Sequence, residues 1–222
     1  MIGQTKKEFY ENQSIHYVKS DPEALLRYKN ILPWLNLNEK KTIIELGCKY
    51  AELRILLKNK RNNFNYKGID IDEKPLKKIE GYNSNDFICH DINKGIPAED
   101  NSADYVICME VMEHLENATY FLDESKRILK PNGSIIISVP NPYSWNEVYR
   151  NLFRKMDTEG HLSSFTYQNI YSLAQFSNLK IVDEIGSFIR LPLSKKLFKR
   201  YFLIKTNKLF FTRNKIYLIK NI

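Results

Sequence analysis

The stretch T-I-I-E-L-G-C-K-Y-A-E-L, residues 42–53, decides how the rest of this 222-residue chain is read. Ile43 and Ile44 lead into Glu45 and Leu46, then a glycine, and then a segment that can start a helix. Loops that hold a nucleotide-like ligand usually carry several glycines, because the backbone must come close to the ligand. Here Gly47 is followed by Cys48, Lys49, Tyr50 and Ala51. The stretch is either a working loop with unusual parts or a worn one.

Short apolar runs continue downstream at 66–71, 86–89, 104–109 and 134–139, with helical spacing around 50–59, 73–80 and 118–129. With 42–46 as the first strand, this alternation predicts βαβ units, right-handed crossovers and a parallel sheet covered on both faces. Upstream, Asp21-Pro22 reads as a helix start, with the aspartate as N-cap and proline at the first helical position. Leu25, Leu26, Tyr28, Ile31, Leu32 and Leu35 form its apolar stripe, which Pro33 bends or ends. After Pro140 the rhythm changes. Residues 141–165 show no clear period, 166–176 read as a helix, 180–189 as a strand and 214–221 as a last strand. The expectation is one domain with an N-terminal helical cap at 1–40, a substrate-cap segment at 141–165 and a basic C-terminal segment at 188–222.

Hydrophobic residues make up 43% of the chain, enough for a folded core. No apolar run reaches the ~18 residues of a membrane span. The opening MIGQTKKEFYENQ lacks the apolar region of a signal peptide. Cys48, Cys89 and Cys108 lack metal-ligand spacing and read as reduced, buried thiols of a cytosolic protein. The net charge of +8 is unevenly placed. No Asp or Glu follows Glu184, and residues 188–222 hold ten Lys/Arg, which leaves 24 basic against 26 acidic residues before position 188. A body of −2 thus carries a tail of +10, an asymmetry that points to an anionic partner.

In an open parallel sheet ligands bind beyond the carboxyl ends of the strands. Those ends carry Glu45-Leu46-Gly47, Gly68-Ile69-Asp70, Cys89-His90-Asp91 and the run from Met109 through Glu110 and Glu113 to His114. Asp70 lies 23 positions after Gly47, suitably placed for one carboxylate to accept both hydroxyls of a ribose. Gly68 beside it is consistent with a close ligand approach. His90, His114 and His161 do not share metal-ligand spacing on one element, so no metal site is expected. The glycine spacing of NAD-binding loops and of the P-loop is absent.

These motifs resemble the class I S-adenosylmethionine-dependent methyltransferases, in particular the small single-domain type 11 group. The resemblance runs from about residue 40 to 185 and rests on IIELGC, YKGIDID, GHLSSFT and the ordered phrase DNSADYV, MEHL, LKPNGSIIISVPN. It implies a Rossmann-like α/β fold with a mostly parallel seven-stranded sheet, helices on both faces, and S-adenosylmethionine as cofactor. It also implies residue roles. Glu45 and Gly47 would sit near the methionine end of the cofactor, Asp70 would hold the ribose and Ile71 would pack on adenine. Asp91 would accept from the adenine amino group, and the Ile92 amide would reach a ring nitrogen. A simple cap or turn role is the competing reading of Asp91.

The family pattern places glycines at alternate positions after the acidic residue, and Lys49 and Ala51 depart from it. Ala51 is a mild change if its backbone is helical, whereas Lys49 at positive φ would cost ~1–2 kcal/mol. Its ammonium would offset this by pairing with the cofactor carboxylate, worth ~1 kcal/mol. Because Glu45, Asp70, Asp91 and the fourth-strand motif persist, a working loop is the favoured reading.

Methyl transfer mainly requires alignment and exclusion of water, with a base useful for a hydroxyl acceptor. Candidate bases are Glu110, His114 and His161; Glu110 is also a candidate cofactor contact. The expected activity is O-methylation of a small or lipid-linked acceptor of surface-glycan, quinone or lipid type. The alternatives are a non-catalytic cofactor-fold binding protein, or an RNA-directed methyltransferase using the basic tail; absence of a separate RNA-binding domain disfavours nucleic acid. In residues 194–206, Leu197, Tyr201 and Ile204 follow helical spacing beside Phe198 and Phe202, with Lys195, Lys196, Lys199 and Arg200 between them. Such a helix suits an anionic membrane surface, and a location in the cytoplasm, at the inner face of a membrane, is the corresponding expectation. A helix packed on the sheet with solvated lysines is the competing reading.

Overall fold

The computed structural model describes residues 4–13, 19, 21–59, 63–156, 158–190, 202–206 and 211–222. Among them, five parallel strands alternate with short helices. In chain order these are β1 (Lys41–Leu46), α3 (Glu52–Lys58), β2 (Phe64–Asp70), α4 (Glu73–Leu76), β3 (Phe87–Cys89), β4 (Ala103–Met109), α5 (Ala118–Ile128) and β5 (Leu129–Pro140). Two helices precede them, α1 (Lys6–Gln13) and α2 (Pro22–Ile31). After β5 come α6 (Trp145–Leu152), α7 (Tyr167–Phe176), β6 (Leu179–Gly186), β7 (Phe188–Arg190), β8 (Leu203–Lys205) and β9 (Asn214–Asn221). The main sheet has seven strands in the order β3-β2-β1-β4-β5-β9-β6. Strands β1 to β5 pair in parallel, and β9 runs antiparallel between β5 and β6. The strand order reverses beside β1, so the ends of β1 and β4 open onto a crevice.

Both faces are covered, which explains the near-continuous apolar strands. Alternate residues divide between two cores. Ile44, Leu46, Val106, Cys108, Ile135 and Ile137 pack with Phe121 and Leu122 of α5 and Ile170 of α7. Ile43, Tyr105, Ile107 and Ile136 pack with Tyr28 and Ile31 of α2 and Leu53 and Leu57 of α3. Asp21 caps α2 as its sequence predicts, accepting from the Glu23 and Ala24 amides, and Pro33 converts the helix end into a 3-10 turn over Leu32–Trp34. Thr166 likewise opens α7 with a capping box.

Several expectations are corrected. The helix expected over 73–80 is a single turn, Glu73–Leu76. Residues 141–165 contain α6, whose Trp145, Val148, Tyr149 and Leu152 follow the helical i, i+3, i+4, i+7 pattern that an aromatic-rich composition obscures. The strand expected over 180–189 breaks at Ser187 into β6, which pairs with β9, and β7, which pairs with β8; at the break the Ser187 hydroxyl donates to Asn214 Oδ1 at 2.9 Å. Of the helix expected over 194–206, residues 194–201 lie outside the described residues. Leu203–Lys205 is strand β8, antiparallel to β7, so Ile204 pairs with Ile189 across a two-stranded ribbon. Cys48 and Cys108 are buried, but Cys89 is exposed at the end of the short strand β3.

Candidate functional site

The loop after β1 takes the shape that alternate glycines would give it. Gly47, Lys49 and Ala51 have φ of 74°, 46° and 55°. Ala51 is therefore left-handed, not helical, and is strained like Lys49, correcting the mild cost expected for it. A Cβ on Gly47 would lie 2.2 Å from Val111 Cγ2, so only glycine fits between β1 and the turn after β4. The Gly47 amide donates to the Ile69 carbonyl at 2.8 Å, tying the loop to β2. The Lys49 amide donates to Asp70 Oδ2 at 2.8 Å, and the Asp72 amide donates to Asp70 Oδ1 at 2.9 Å. These two bonds lock the Asp70 carboxylate while its remaining lone pairs face open space.

That space is an open cleft of about 670 Å³, bordered by Gly47, Lys49, Asp70, Ile71, Asp91, Ile92, Glu110 and His114. Seven of the eight residues expected at the cofactor, Glu45 excepted, thus meet in one place. Tyr10, Asp72, His90, Asn93, Val111 and Leu115 complete the lining. Tyr10 comes from α1 and has no local signal in the sequence. Burial and the nearby Glu113 and Asp91 carboxylates push its hydroxyl up to about 12. Asp72 is buried, caps α4 through Oδ1, and its Oδ2 lacks a hydrogen-bond partner among the described residues. Asp91 serves as a turn cap, accepting through Oδ1 from the Asn93 amide and side chain, and also lines the cleft.

Glu45 does not line the cleft. Strand alternation turns it toward α2, where it is 1% exposed and accepts hydrogen bonds from the hydroxyls of Tyr28 and Tyr66. Burial pushes its carboxyl up to about 8 against the lowering effect of those two donors. Gly68 serves packing: a Cβ there would lie 2.6 Å from Cys48 Sγ. The Lys49 side chain is accessible yet surrounded by the walls of the cleft. That desolvation, with Arg27 adding to it, lowers its ammonium, while Asp70, Glu52 and Asp21 oppose the shift.

A second cavity of about 750 Å³ adjoins the cleft and shares Lys49, Glu110 and His114 with it. Its walls bring in Arg27, Glu113, Glu159, His161, Arg213 and Asn214. Glu110 stands at the junction with a left-handed backbone, φ 56°. Ser138 Oγ donates to its Oε1 at 2.8 Å, and Asn214 Nδ2 donates to its Oε2. Each oxygen is thus held by one hydrogen bond. His161 arrives because the Leu162 and Ser163 amides donate to the Glu113 carbonyl at 2.8 and 3.1 Å. The ring centroids of His114 and His161 are then 4.8 Å apart. All three candidate bases meet at this cavity. Linear spacing gave no indication that Glu113, His114 and His161 cluster, because the segment 160–163 joins the turn after β4 only in the folded chain.

A methyltransferase-domain family model matches residues 13–184. The chain belongs to the S-adenosylmethionine-dependent methyltransferase family. A probable S-adenosylmethionine-dependent methyltransferase of Mycolicibacterium smegmatis is 32% identical over 124 residues, 54% of this chain and 46% of that protein. An uncharacterised protein of Methanocaldococcus jannaschii is 27% identical over 194 residues, 87% of this chain and 81% of its own. The chain spans less than half the length of the first two curated relatives, 46% and 40%. Among solved structures, a possible histamine N-methyltransferase of Thermotoga maritima superposes with TM-score 0.70 at 13% identity, covering 96% of this chain and 99% of that one. A methyltransferase of Archaeoglobus fulgidus gives TM-score 0.67 at 16% identity, covering 96% and 99%. At such identities these two likenesses speak for the methyltransferase fold alone. The cleft's residues fit the family's cofactor: carboxylates at Asp70, Asp72 and Asp91 suit the hydroxyl and amine donors of an adenosyl group, and Ile71 and Ile92 offer apolar contact. Among the described residues no helix is long and apolar enough to cross a membrane.

Proposed function

We propose that the protein transfers a methyl group from S-adenosylmethionine to an oxygen of a small or lipid-linked acceptor bound in the second cavity. The observation that carries this reading is the Asp70 carboxylate, fixed by the Lys49 and Asp72 amides at the edge of a cleft that opens into a separate polar cavity. The bound cofactor supplies a methyl carbon already activated by its sulfonium. The chain's part is to hold and to align. Asp70 accepts the ribose hydroxyls, Ile71 packs on the purine, and Asp91 and the Ile92 amide meet its polar edge. The Gly47 backbone flanks the methionine end, and the Lys49 ammonium faces its carboxylate. Glu45 supports the loop from behind through Tyr28 and Tyr66.

Ser138 and Asn214 each donate to one oxygen of Glu110 and hold its carboxylate at the junction of cleft and cavity, where it acts as a positioning residue. His114 and His161 remain for the acceptor. Burial and the neighbouring His161 lower His114 to about 4, so its ring is neutral at ordinary pH and has a lone pair to offer. The lipid-linked reading is supported by α6, which exposes Trp145, Tyr149 and Leu152, with Phe153 just beyond its end, while its Glu147 and Arg150 line a neighbouring pocket that shares His161 with the cavity.

Calorimetry with S-adenosylhomocysteine tests the reading. Binding is expected in the wild type, and Asp70→Ala is expected to weaken it at least about tenfold, or ~1.4 kcal/mol. Equal affinities in the two proteins, or no binding by either, would overturn it.

A further inference from the structure

We propose that Glu113, His114 and His161 form a site for one divalent transition-metal ion, of the manganese, iron, cobalt or zinc kind, on the wall of the second cavity. The inference rests on the methyl-transfer reading only in saying what the ion would do there, namely hold an acceptor oxygen. One ligand atom from each of the three residues lies within 4.8 Å of the others. Bonds of about 2.0–2.2 Å would require modest side-chain rotation to draw them together.

The second observation is Glu113 itself. It is 1% exposed, and neither of its carboxylate oxygens has a hydrogen-bond partner among the described residues. A buried carboxylate without such partners is costly, and a cation is one of the few things that satisfies it. Glu113 Oε1 faces His161 Nε2 at 4.0 Å, too far for a hydrogen bond and spaced as two ligands around an ion would be before it contracts them.

The histidines are prepared for the same task. Gly160 contributes a carbonyl to His114 Nδ1 at 3.2 Å. A carbonyl only accepts, so Nδ1 carries the proton and Nε2 keeps its lone pair. This is the outer hydrogen bond that metal-binding imidazoles characteristically make. Glu159 Oε2 lies 3.5 Å from His161 Nε2 and adds negative charge beside the site. Arg27, Lys49 and Arg213 share the cavity, and Glu110 and Glu159 offset them. Two imidazoles and one carboxylate, borne on the turn after β4 and on the segment before α7, leave coordination positions open toward the cavity. An acceptor hydroxyl entering such a position would lose its proton to water more readily and be held beside the cofactor cleft.

Titration of the metal-free protein with Co2+, followed by its d–d absorption, provides the test. One ion per chain is expected, with at least tenfold weaker binding in Glu113→Gln and in His161→Asn. His90→Gln, a cleft histidine outside the trio, should bind Co2+ within twofold of wild type. S-adenosylhomocysteine affinity, measured without metal on each protein, reports whether the cleft is folded. Absence of stoichiometric Co2+ binding, or wild-type affinity for Co2+ in Glu113→Gln and His161→Asn, overturns the site. Such a result with S-adenosylhomocysteine still bound leaves the methyl-donor reading standing, whereas loss of S-adenosylhomocysteine binding by the wild type strikes at that reading instead.

Discussion

Lys49 sits at φ 46°, where a side chain costs ~1–2 kcal/mol over glycine. Lys49→Gly should therefore raise stability by about 1 kcal/mol in denaturant titration. If the ammonium faces the cofactor carboxylate, Lys49→Met should weaken S-adenosylhomocysteine binding and flatten its salt dependence. Tighter binding by the methionine variant would refute that pairing. Glu45 carries a prediction about pH. Its folded-state carboxyl is pushed up from 4.5 to about 8, so the unfolded chain releases the proton first as pH rises. Its contribution to stability is complete below pH 4.5 and is lost progressively toward pH 8, by at most ~1.4 kcal/mol per pH unit. Glu45→Gln keeps hydrogen-bonding capacity toward Tyr28 and Tyr66 without titrating. Its stability relative to wild type should rise across that window, and parallel profiles from urea unfolding would contradict the assignment.

At the scale of elements, the site depends on pieces distant in sequence docking beside the end of β4. Gly160 is the hinge of this arrangement. Its φ is 83°, its carbonyl meets His114, and a Cβ on it would lie 2.5 Å from Phe9 Cε1 of α1. Gly160→Ala should cost ~1–2 kcal/mol and push α1, with Tyr10, off the cleft. A lower melting temperature, by roughly 2–6 °C, with faster proteolysis near residues 4–13, is the expected result. An unchanged melting temperature would show that the backbone there relaxes freely.

For the molecule as a whole, charge is the telling quantity. Among the described residues of 188–222, three basic side chains turn inward. Arg190 pairs with Glu23 at 2.6 Å, Arg213 pairs with Glu147 at 2.7 Å, and Lys215 is 8% exposed against Tyr143 and Tyr167. The formal +10 therefore overstates what a partner would meet. Lys195, Lys196, Lys199 and Arg200 lie outside the described residues, and the proposal that they contact an anionic membrane is tested by co-sedimentation. Binding to anionic vesicles should exceed binding to neutral ones, weaken at high salt, and fall when these four become Gln, at ~1 kcal/mol per charge near the surface. Equal sedimentation with both vesicle types would remove the membrane role.

The alternation of strands and helices, the cap at Asp21, the left-handed strain at Lys49, and the strand ends that carry Gly47, Asp70, Asp91 and Glu110 were all legible in the chain itself. Each of these is a local property: periodicity, turn chemistry and the position of a residue just beyond a strand are all written in short windows of chain. Tertiary structure alone turned Glu45 away from the cleft, because which face a strand residue meets depends on what packs there. It alone brought Tyr10 from α1, and Arg213 and Asn214 from the threshold of β9, to the site. It also gathered Glu113, His114 and His161, since amides at 162 and 163 find the Glu113 carbonyl only when the segment before α7 folds back. Contacts between positions 48 residues apart, such as Glu113 and His161, have no period and no spacing rule. They exist because buried backbone groups must find partners, and here those partners are supplied by the docking of whole elements.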